Sequence, residues 1–270
     1  MESPPKKILF VSFNISTIDP NYKFLSNVPF QLKFELLNNS NIHSNNIIIQ
    51  QFNNSCNIKK VVENILKINP KIIGFSIYVW NYKLILKIVA AIRRINKNVI
   101  IILGGPFVKF NIKDLLINNN YIDYLIHEYS FNSFSRFIKH IYYLKKINNK
   151  NLNKFEGLVY KLNNQIKIIK QKNLLYDIND ENSFILNKPI FNEYKFFKPT
   201  AITYETSSGC INNCYFCQWS SKKITEIDLK RVFLELLKLF TIRRLCKILI
   251  SDADFLRNES KAIKILNFIQ

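Results

Sequence analysis

Three cysteines packed into one short segment are the residues of this chain best placed to do chemistry. They stand in Glu205-Thr206-Ser207-Ser208-Gly209-Cys210-Ile211-Asn212-Asn213-Cys214-Tyr215-Phe216-Cys217-Gln218-Trp219, a C-x3-C-x2-C spacing. Three thiolates hold three irons of a [4Fe–4S] cube and leave one iron with an open coordination site. A catalytic cluster needs that opening, because a small molecule must reach the metal. The competing chemistry is structural zinc, which takes four closed ligands, usually as paired C-x2-C units. No fourth cysteine or histidine lies nearby at such spacing, and Cys246 reads as a small core residue at the start of a strand. The ligand count favours the cluster, on Cys210, Cys214 and Cys217, with Phe216 shielding one side of it.

A second constellation lies further forward. Gly74-Phe75-Ser76-Ile77-Tyr78-Val79-Trp80-Asn81 and Gly104-Gly105-Pro106 each close an apolar run. Consecutive glycines at a strand end let a large flat ligand approach the backbone without side-chain obstruction. A serine after a buried strand can hydrogen-bond the polar edge of such a ligand. A tight turn and an ordinary core strand explain the same residues, and on chemistry alone the two readings stand even. All five glycines (Gly74, Gly104, Gly105, Gly157 and Gly209) fall at motif or turn positions. His43, His127 and His140 have no paired acid or cysteine at useful spacing and read as surface or interface residues. Trp80 and Trp219 sit beside the motifs, with packing the default role for both.

The elements that must position these residues follow from periodicity. Runs that read as buried parallel strands are Ile8–Phe13, Asn46–Phe52, Lys71–Tyr78, Val99–Leu103 and Ile122–Ile126. Helical spacing occupies Phe30–Leu37, Ile58–Ile68, Tyr82–Ile95, Ile112–Ile117 and Phe131–Leu144 between them. Five strands alternating with helices specify an open, doubly wound α/β sheet, whose ligands bind outside the carboxyl ends of the strands. Gly157–Tyr160 and Gln165–Ile169 flank Asn163-Asn164 as a β-hairpin, and the polar stretch on to Pro199 reads as an irregular connector. A second α/β pattern then begins, with strands at Ala201–Thr206 and Lys247–Ser251 and helices at Ile224–Phe240 and Ser260–Gln270. The domain boundaries expected are 1–147, 148–200 and 201–270. Two parallel strands neither close a barrel nor cover a sheet, so the last domain reads as incomplete.

Composition bounds the rest. At 270 residues, 48% hydrophobic and 21% charged, the chain has ample core and is not a disordered one. Lysine and arginine outnumber aspartate and glutamate 39 to 19, a net +20 that would suit nucleic acid or an anionic membrane. The basic residues are scattered, however, and the Lys-, Asn- and Ile-rich, Gly-poor profile is the one an AT-rich coding sequence produces. No RNA-recognition motif supports a nucleic-acid partner. No secretory signal is visible, and the most apolar stretch, Lys71–Ile92, is interrupted by Asn81, Lys83 and Lys87 and does not read as a membrane span. Five cysteines, three of them clustered, point to a reduced compartment, so the expected location is cytoplasmic.

Two resemblances sharpen this reading. The cysteine triplet after a strand, with Tyr204-Glu205-Thr206-Ser207 before it, resembles the radical S-adenosylmethionine signature. Ile248-Leu249-Ile250-Ser251-Asp252-Ala253-Asp254-Phe255 resembles that superfamily's second strand with its Asp-x-x-Phe end. The resemblance implies a [4Fe–4S] cluster on the three cysteines, S-adenosylmethionine on the open iron with Phe216 beside it, and the first two βα units of a partial barrel. The Ser76 and Gly-Gly elements resemble flavodoxin/Rossmann-like cobalamin-binding domains, which implies cobalamin contacts at Ser76, Tyr78, Gly104, Gly105 and Pro106. The order of the parts resembles the B12-binding radical S-adenosylmethionine class. Ser12–Asp19 lacks the Asp-x-His-x-x-Gly that would supply an axial histidine, so the resemblance implies cobalamin bound without it. The activity implied is methyl transfer or radical modification of an unidentified substrate, with a second chain as a candidate to complete the barrel. The alternatives are a non-catalytic cobalamin- or cluster-binding subunit or remnant, and an RNA-modifying enzyme.

Overall fold

The structure, a computed structural model, describes residues 6–14, 23–127, 131–144, 152–170, 183–212, 214, 215, 217 and 224–270. These fall into two compact units, one within 1–16 and 28–172, the other within 17–27 and 173–270. In chain order the strands are β1 (Lys7–Asn14), β2 (Phe24–Leu25), β3 (Ile47–Asn53), β4 (Pro70–Ser76), β5 (Ile100–Gly104), β6 (Tyr124–Ile126), β7 (Leu158–Leu162), β8 (Gln165–Ile168), β9 (Ala201–Tyr204), β10 (Ser207–Ser208), β11 (Thr225–Glu226) and β12 (Lys247–Ile250). The helices are α1 (Val28–Asn39), α2 (Ile58–Ile68), α3 (Tyr82–Ile95), α4 (Val108–Ile117), α5 (Phe131–Tyr143), α6 (Lys188–Phe196), α7 (Leu229–Phe240) and α8 (Glu259–Ile269).

The first unit is built on a sheet of order β3-β1-β4-β5-β6-β7-β8, parallel from β3 to β6. Alternation along β1 feeds two cores. Leu9, Val11 and Phe13 join Val61 and Ile65 of α2, Ile85, Ile88 and Ile92 of α3 and Leu115 and Leu116 of α4 in one buried cluster. Phe10 points the other way, its ring 5.9 Å from that of Phe134 on α5, and α1 packs on α5. Helices thus cover both faces, as continuous apolar strands require. The chain reverses its direction of winding between β1 and β4, which makes their carboxyl ends the topological switch point where such folds bind ligands.

The helix ends follow local chemistry. The Asn57 side chain accepts from Lys60 N to start α2, and Asn69 ends it in the left-handed conformation (φ 52°).

Two expectations about the chain between the two patterns change. The hairpin forms, but it extends the parallel sheet: β7 pairs antiparallel with β6, so the sheet has seven strands and not five. Without it β6, only three residues long, would be an unpaired edge. The stretch around Pro189 is helical rather than irregular, because Pro189 sits in the first turn of α6, where it is tolerated, and Asn187 caps Ile190 N. Residues 171–182 lie outside the described residues.

The second unit has a parallel sheet of order β12-β9-β2. Its third strand, unanticipated, comes from residues 24–25, held by Lys23 N donating to Thr200 Oγ1 at 2.7 Å and Asn27 Nδ2 donating to Thr203 O at 2.8 Å. The expected helix at Ile224 begins only at Leu229. The preceding Thr225–Glu226 pairs with Ser207–Ser208 as β11, and Asp228 caps α7 through Lys230 N and Arg231 N. Cys246, expected in the core, is exposed at the start of the edge strand β12, its thiol donating to Arg244 O. Among the described residues no helix is long and apolar enough to cross a membrane.

One side chain ties α3 to the strands that carry the glycine loop. Arg93 donates to Tyr121 O, Lys97 O and Val99 O and pairs with Asp123 Oδ2, which also accepts from Ile101 N at 2.7 Å. Burial pushes the Asp123 carboxyl above its usual range, against the pull of Ile101 N and Arg93. Arg93→Ala strands that half-buried carboxylate and three carbonyls. The expected cost is about 1–3 kcal/mol, read as a fall of several degrees in the thermal midpoint of the first unit.

Candidate functional site: a strand-end crevice and a three-cysteine loop

The carboxyl ends of β1, β4 and β5 form the first candidate site. Phe10 lies opposite Gly74, and Gly74 opposite Ile102, so two residues further on Ser12, Ser76 and Gly104 stand level on one face. Ser76 and Gly104 are register partners. Beyond them the loops are locked together: Ile77 N donates to Gly104 O at 2.7 Å, and Phe107 N reaches Ile77 O at 3.4 Å. Gly105 is the residue this requires. It has φ +112°, and a Cβ placed there would lie 2.6 Å from Ile77 O. Gly104 is different, since a Cβ there would meet only Ile126 Cβ at 3.7 Å, leaving its open side toward the crevice.

The β4 loop has its own brace. Asn81, almost fully buried, accepts from Tyr78 N at 2.7 Å through Oδ1 and donates to Ser76 O at 3.2 Å through Nδ2. It precedes α3 but folds back rather than capping it. The Tyr78 and Trp80 rings stack at 4.5 Å, with Trp80 and Val79 exposed, and Tyr82 stacks on Phe107 at 4.2 Å. The sequence reading passed over Asn81 as a brace. It also passed over Ser12, 1% exposed, whose hydroxyl has no hydrogen-bond partner among the described residues. An orphaned hydroxyl level with Ser76 and a glycine with open space beside it suit a large ligand with polar edges, and the site fits cobalamin on that ground. Pro106 follows the glycines and leads into α4.

The cysteine loop belongs to the second unit and leaves the sheet after β9. Its two ends are joined by the β10–β11 pairing, Ser207 with Glu226 and Ser208 with Thr225. Cys210 is buried, Cys214 and Cys217 are exposed, and none of the three is in a disulfide. Cys217 N donates to Cys214 O at 3.0 Å, a turn that sets these two cysteines close together. Among the described residues no three His, Cys, Asp or Glu side chains converge on one point as a ready metal site. The donor set itself, three cysteines outside any disulfide on one loop, matches a three-ligand iron–sulfur cluster in its chemistry. Phe216 and Trp219 lie outside the described residues.

The residues leading into the loop are densely bonded. Thr206 N and Oγ1 and Ser207 Oγ all donate to Asp252, at 2.6, 2.5 and 2.8 Å. Lys261 Nζ donates to Thr206 O at 3.0 Å and to Ile227 O at 2.9 Å. Tyr204 donates to the buried Glu235 at 2.6 Å, which Arg231 also contacts. Burial first and the nearby Asp252 second push the Glu205 carboxyl up to about 7.

The doubly wound unit and its crevice define a class. Residues 40–137, within the first unit, match the family profile of the B12 binding domain, and the unit's mostly parallel sheet is of the Rossmann-like α/β type that such a domain has. The chain as a whole shares its fold with solved structures of the cobalamin-dependent S-adenosylmethionine radical enzyme OxsB. The structure with aqua-cobalamin and S-adenosylmethionine bound and the one with aqua-cobalamin bound each align with a TM-score of 0.69 at 17% identity, covering 97% of this chain and 36% of that one. The apo, selenomethionine-labelled structure aligns at 0.63 and 17% identity, covering 98% and 36%. The chain therefore spans little more than a third of the length of these enzymes. No curated protein matches it.

Two outcomes test this geometry. Gly105→Ala should cost about 1–3 kcal/mol and lower the thermal midpoint, while Gly104→Ala leaves it nearly unchanged, as circular dichroism melts would show. Glu205 has a folded value of about 7 against 4.5 ordinarily, so the folded chain holds the extra proton between those limits. Its contribution is intact below pH 4.5 and is lost as pH rises through 7. Glu205→Gln should thus raise the midpoint of the second unit by several degrees at pH 8 and by almost nothing at pH 4.5.

Proposed function

We propose that this chain supplies the cobalamin domain and the cluster-binding loop of a cobalamin-dependent radical S-adenosylmethionine enzyme. The observation that carries the reading is the placement of both motifs. Each lies just past the carboxyl ends of parallel strands, in a fold shared over 97% of the chain with enzyme structures that hold aqua-cobalamin and S-adenosylmethionine.

In this reading Ser76, Tyr78, Gly104, Gly105 and Pro106 hold the cobalamin, with the Asn81 brace fixing the shape of the Ser76–Tyr78 loop. Gly104 contributes by having no side chain, and Trp80, exposed and stacked on Tyr78, offers an aromatic face at the rim. Cys210, Cys214 and Cys217 would hold the cluster, and Phe216 is the residue assigned to shield it and the S-adenosylmethionine. When bound, these groups supply a 5′-deoxyadenosyl radical and a cobalt methyl carrier, the hard chemistry that side chains cannot perform. The protein's share is to bind and orient them, and Cys210 starts from a site already shielded from water. The substrate is a molecule with an unreactive carbon.

The test has two arms. Anaerobic reconstitution with iron and sulfide should give one oxygen-sensitive [4Fe–4S] cluster per chain, lost in Cys210→Ser, Cys214→Ser or Cys217→Ser and kept in Cys246→Ser. Titration with aqua-cobalamin should shift its visible spectrum at a one-to-one ratio, and Gly104→Ala should weaken binding at least tenfold without moving the thermal midpoint. Tight stoichiometric zinc in place of iron, or no spectral shift with cobalamin, would overturn the respective half of the reading.

A further inference from the structure

Thr206 is held on every polar group it owns. Its N–H and hydroxyl donate to the two oxygens of Asp252, and its carbonyl accepts from both Lys261 Nζ and Ile227 N, the latter at 2.8 Å. Ser207 adds a third donor to Asp252. Asp252 comes directly after Ser251, whose N–H is bonded to Tyr204 O at 2.9 Å, so it projects from the strand next to the one that launches the loop. Lys261 bridges the loop's two ends, since it bonds Thr206 at the outgoing side and Ile227 at the return, and it pairs with Glu226 at 3.5 Å. Asn258 holds the same Glu226 from the start of α8.

These bonds exceed what closing a loop needs. The β10–β11 ladder already joins the ends, but it is two residue pairs long. Thr206 and Ser207 are 2% and 8% exposed, and the cavity they share with Asp252, Asp254, Arg257 and Lys261 holds about 10 Å3, room for one water at most. It is therefore a support and not a ligand pocket. A carboxylate accepting from a backbone N–H and two hydroxyls is a charge-assisted arrangement, stronger and more directional than neutral bonds. It ends at Ser207, three residues before Cys210.

We propose that Asp252, with Lys261 opposite it, is a positioning residue for the cysteine loop: it fixes where the chain enters Cys210 and so sets the first thiol against the other two. The inference rests on the cluster reading above. Metal ligands must be held to within a fraction of an ångström by their supporting contacts, and here the support comes from a separate strand and a separate helix rather than from the loop.

The experiment uses the full chain, loaded anaerobically with iron and sulfide. The readouts are iron retained, the rate of cluster loss to a chelator and the electron paramagnetic resonance spectrum of the reduced cluster, with melts of the metal-free chain alongside. Asp252→Asn keeps one acceptor for Thr206 N but loses the second carboxylate oxygen. It should lose its cluster about tenfold faster and broaden or shift the spectrum, with little change in the melt. Thr206→Val should behave alike, and the double variant should be no worse than either single one, since all three remove one shared interaction. If Asp252→Asn does not fold, Thr206→Val and Ser207→Ala remove only donors and decide the matter. Loss rates and spectra equal to the parent's would overturn the proposal. A parent chain that takes up no iron would instead count against the cluster reading. In that case alkylation of the buried Cys210 in the metal-free chain decides: at least fivefold faster in Asp252→Asn supports the positioning role, and an unchanged rate overturns it.

Discussion

Where β4 and β5 end, two backbones meet with no room for a side chain between them. Ile77 donates its N–H to Gly104, and Gly105 lies flat against the Ile77 peptide in a conformation few other residues adopt. The rest of the first site depends on this contact. It sets Ser76 beside Gly104, and it draws the β4 loop into the turn that Asn81 then braces. It also brings Phe107 over Tyr82, so the start of α3 and the approach to α4 are joined across the same crevice. The Arg93–Asp123 pair at the opposite ends of β5 and β6 serves the same strands from below. Rigid strands therefore present the site, and the loops add little freedom of their own.

The second unit solves a different problem. Its candidate ligands are thiols on a long excursion between β10 and β11, which no strand or helix can hold by itself. The chain surrounds the base of that excursion with charge: Asp252 and Lys261 on the backbone, Glu205 near Asp252, and the Tyr204–Glu235–Arg231 chain alongside. Burying so many ionisable groups is costly unless each is bonded. Glu205 is the member for which the cost is visible, its carboxyl held near neutrality by burial and by Asp252. A stable fold alone would favour apolar residues at these positions.

What the residues disclosed in advance was mostly what local periodicity governs. The five parallel strands stand out because each is a continuous apolar run, and α2 and α3 occupy Ile58–Ile68 and Tyr82–Ile95, the ranges their spacing marks. The hairpin was legible in Asn163-Asn164, both in the left-handed conformation, but not its docking on β6, which depends on an edge that only the folded sheet presents. Strand β2 was illegible because two residues, Phe24 and Leu25, become a strand only through a partner far along the chain. Pro189 concealed α6, although a proline in a helix's first turn is a start signal as much as a break. In the site, residue type pointed to the cysteines and to Gly104–Gly105. The roles of Asn81 and Ser12 come from where the backbone turns, and nothing in their neighbours' chemistry marks them.

The discontinuity of the second unit bears on how this protein emerges from a ribosome. Strand β9 needs Phe24–Leu25 on one side and Lys247–Ile250 on the other, so the central strand of the sheet lies some 177 residues from one neighbour. The segment carrying β2 is synthesised early and must wait, unpaired, while the whole intervening α/β unit is made. The first unit closes its own sheet from consecutive βα steps and can form as it is translated. The second cannot, and its assembly is a late, long-range closure, the slow kind of contact. Any attempt to cut the molecule into working parts inherits the same constraint: a fragment beginning after the hairpin lacks one strand of the sheet that launches the cysteine loop.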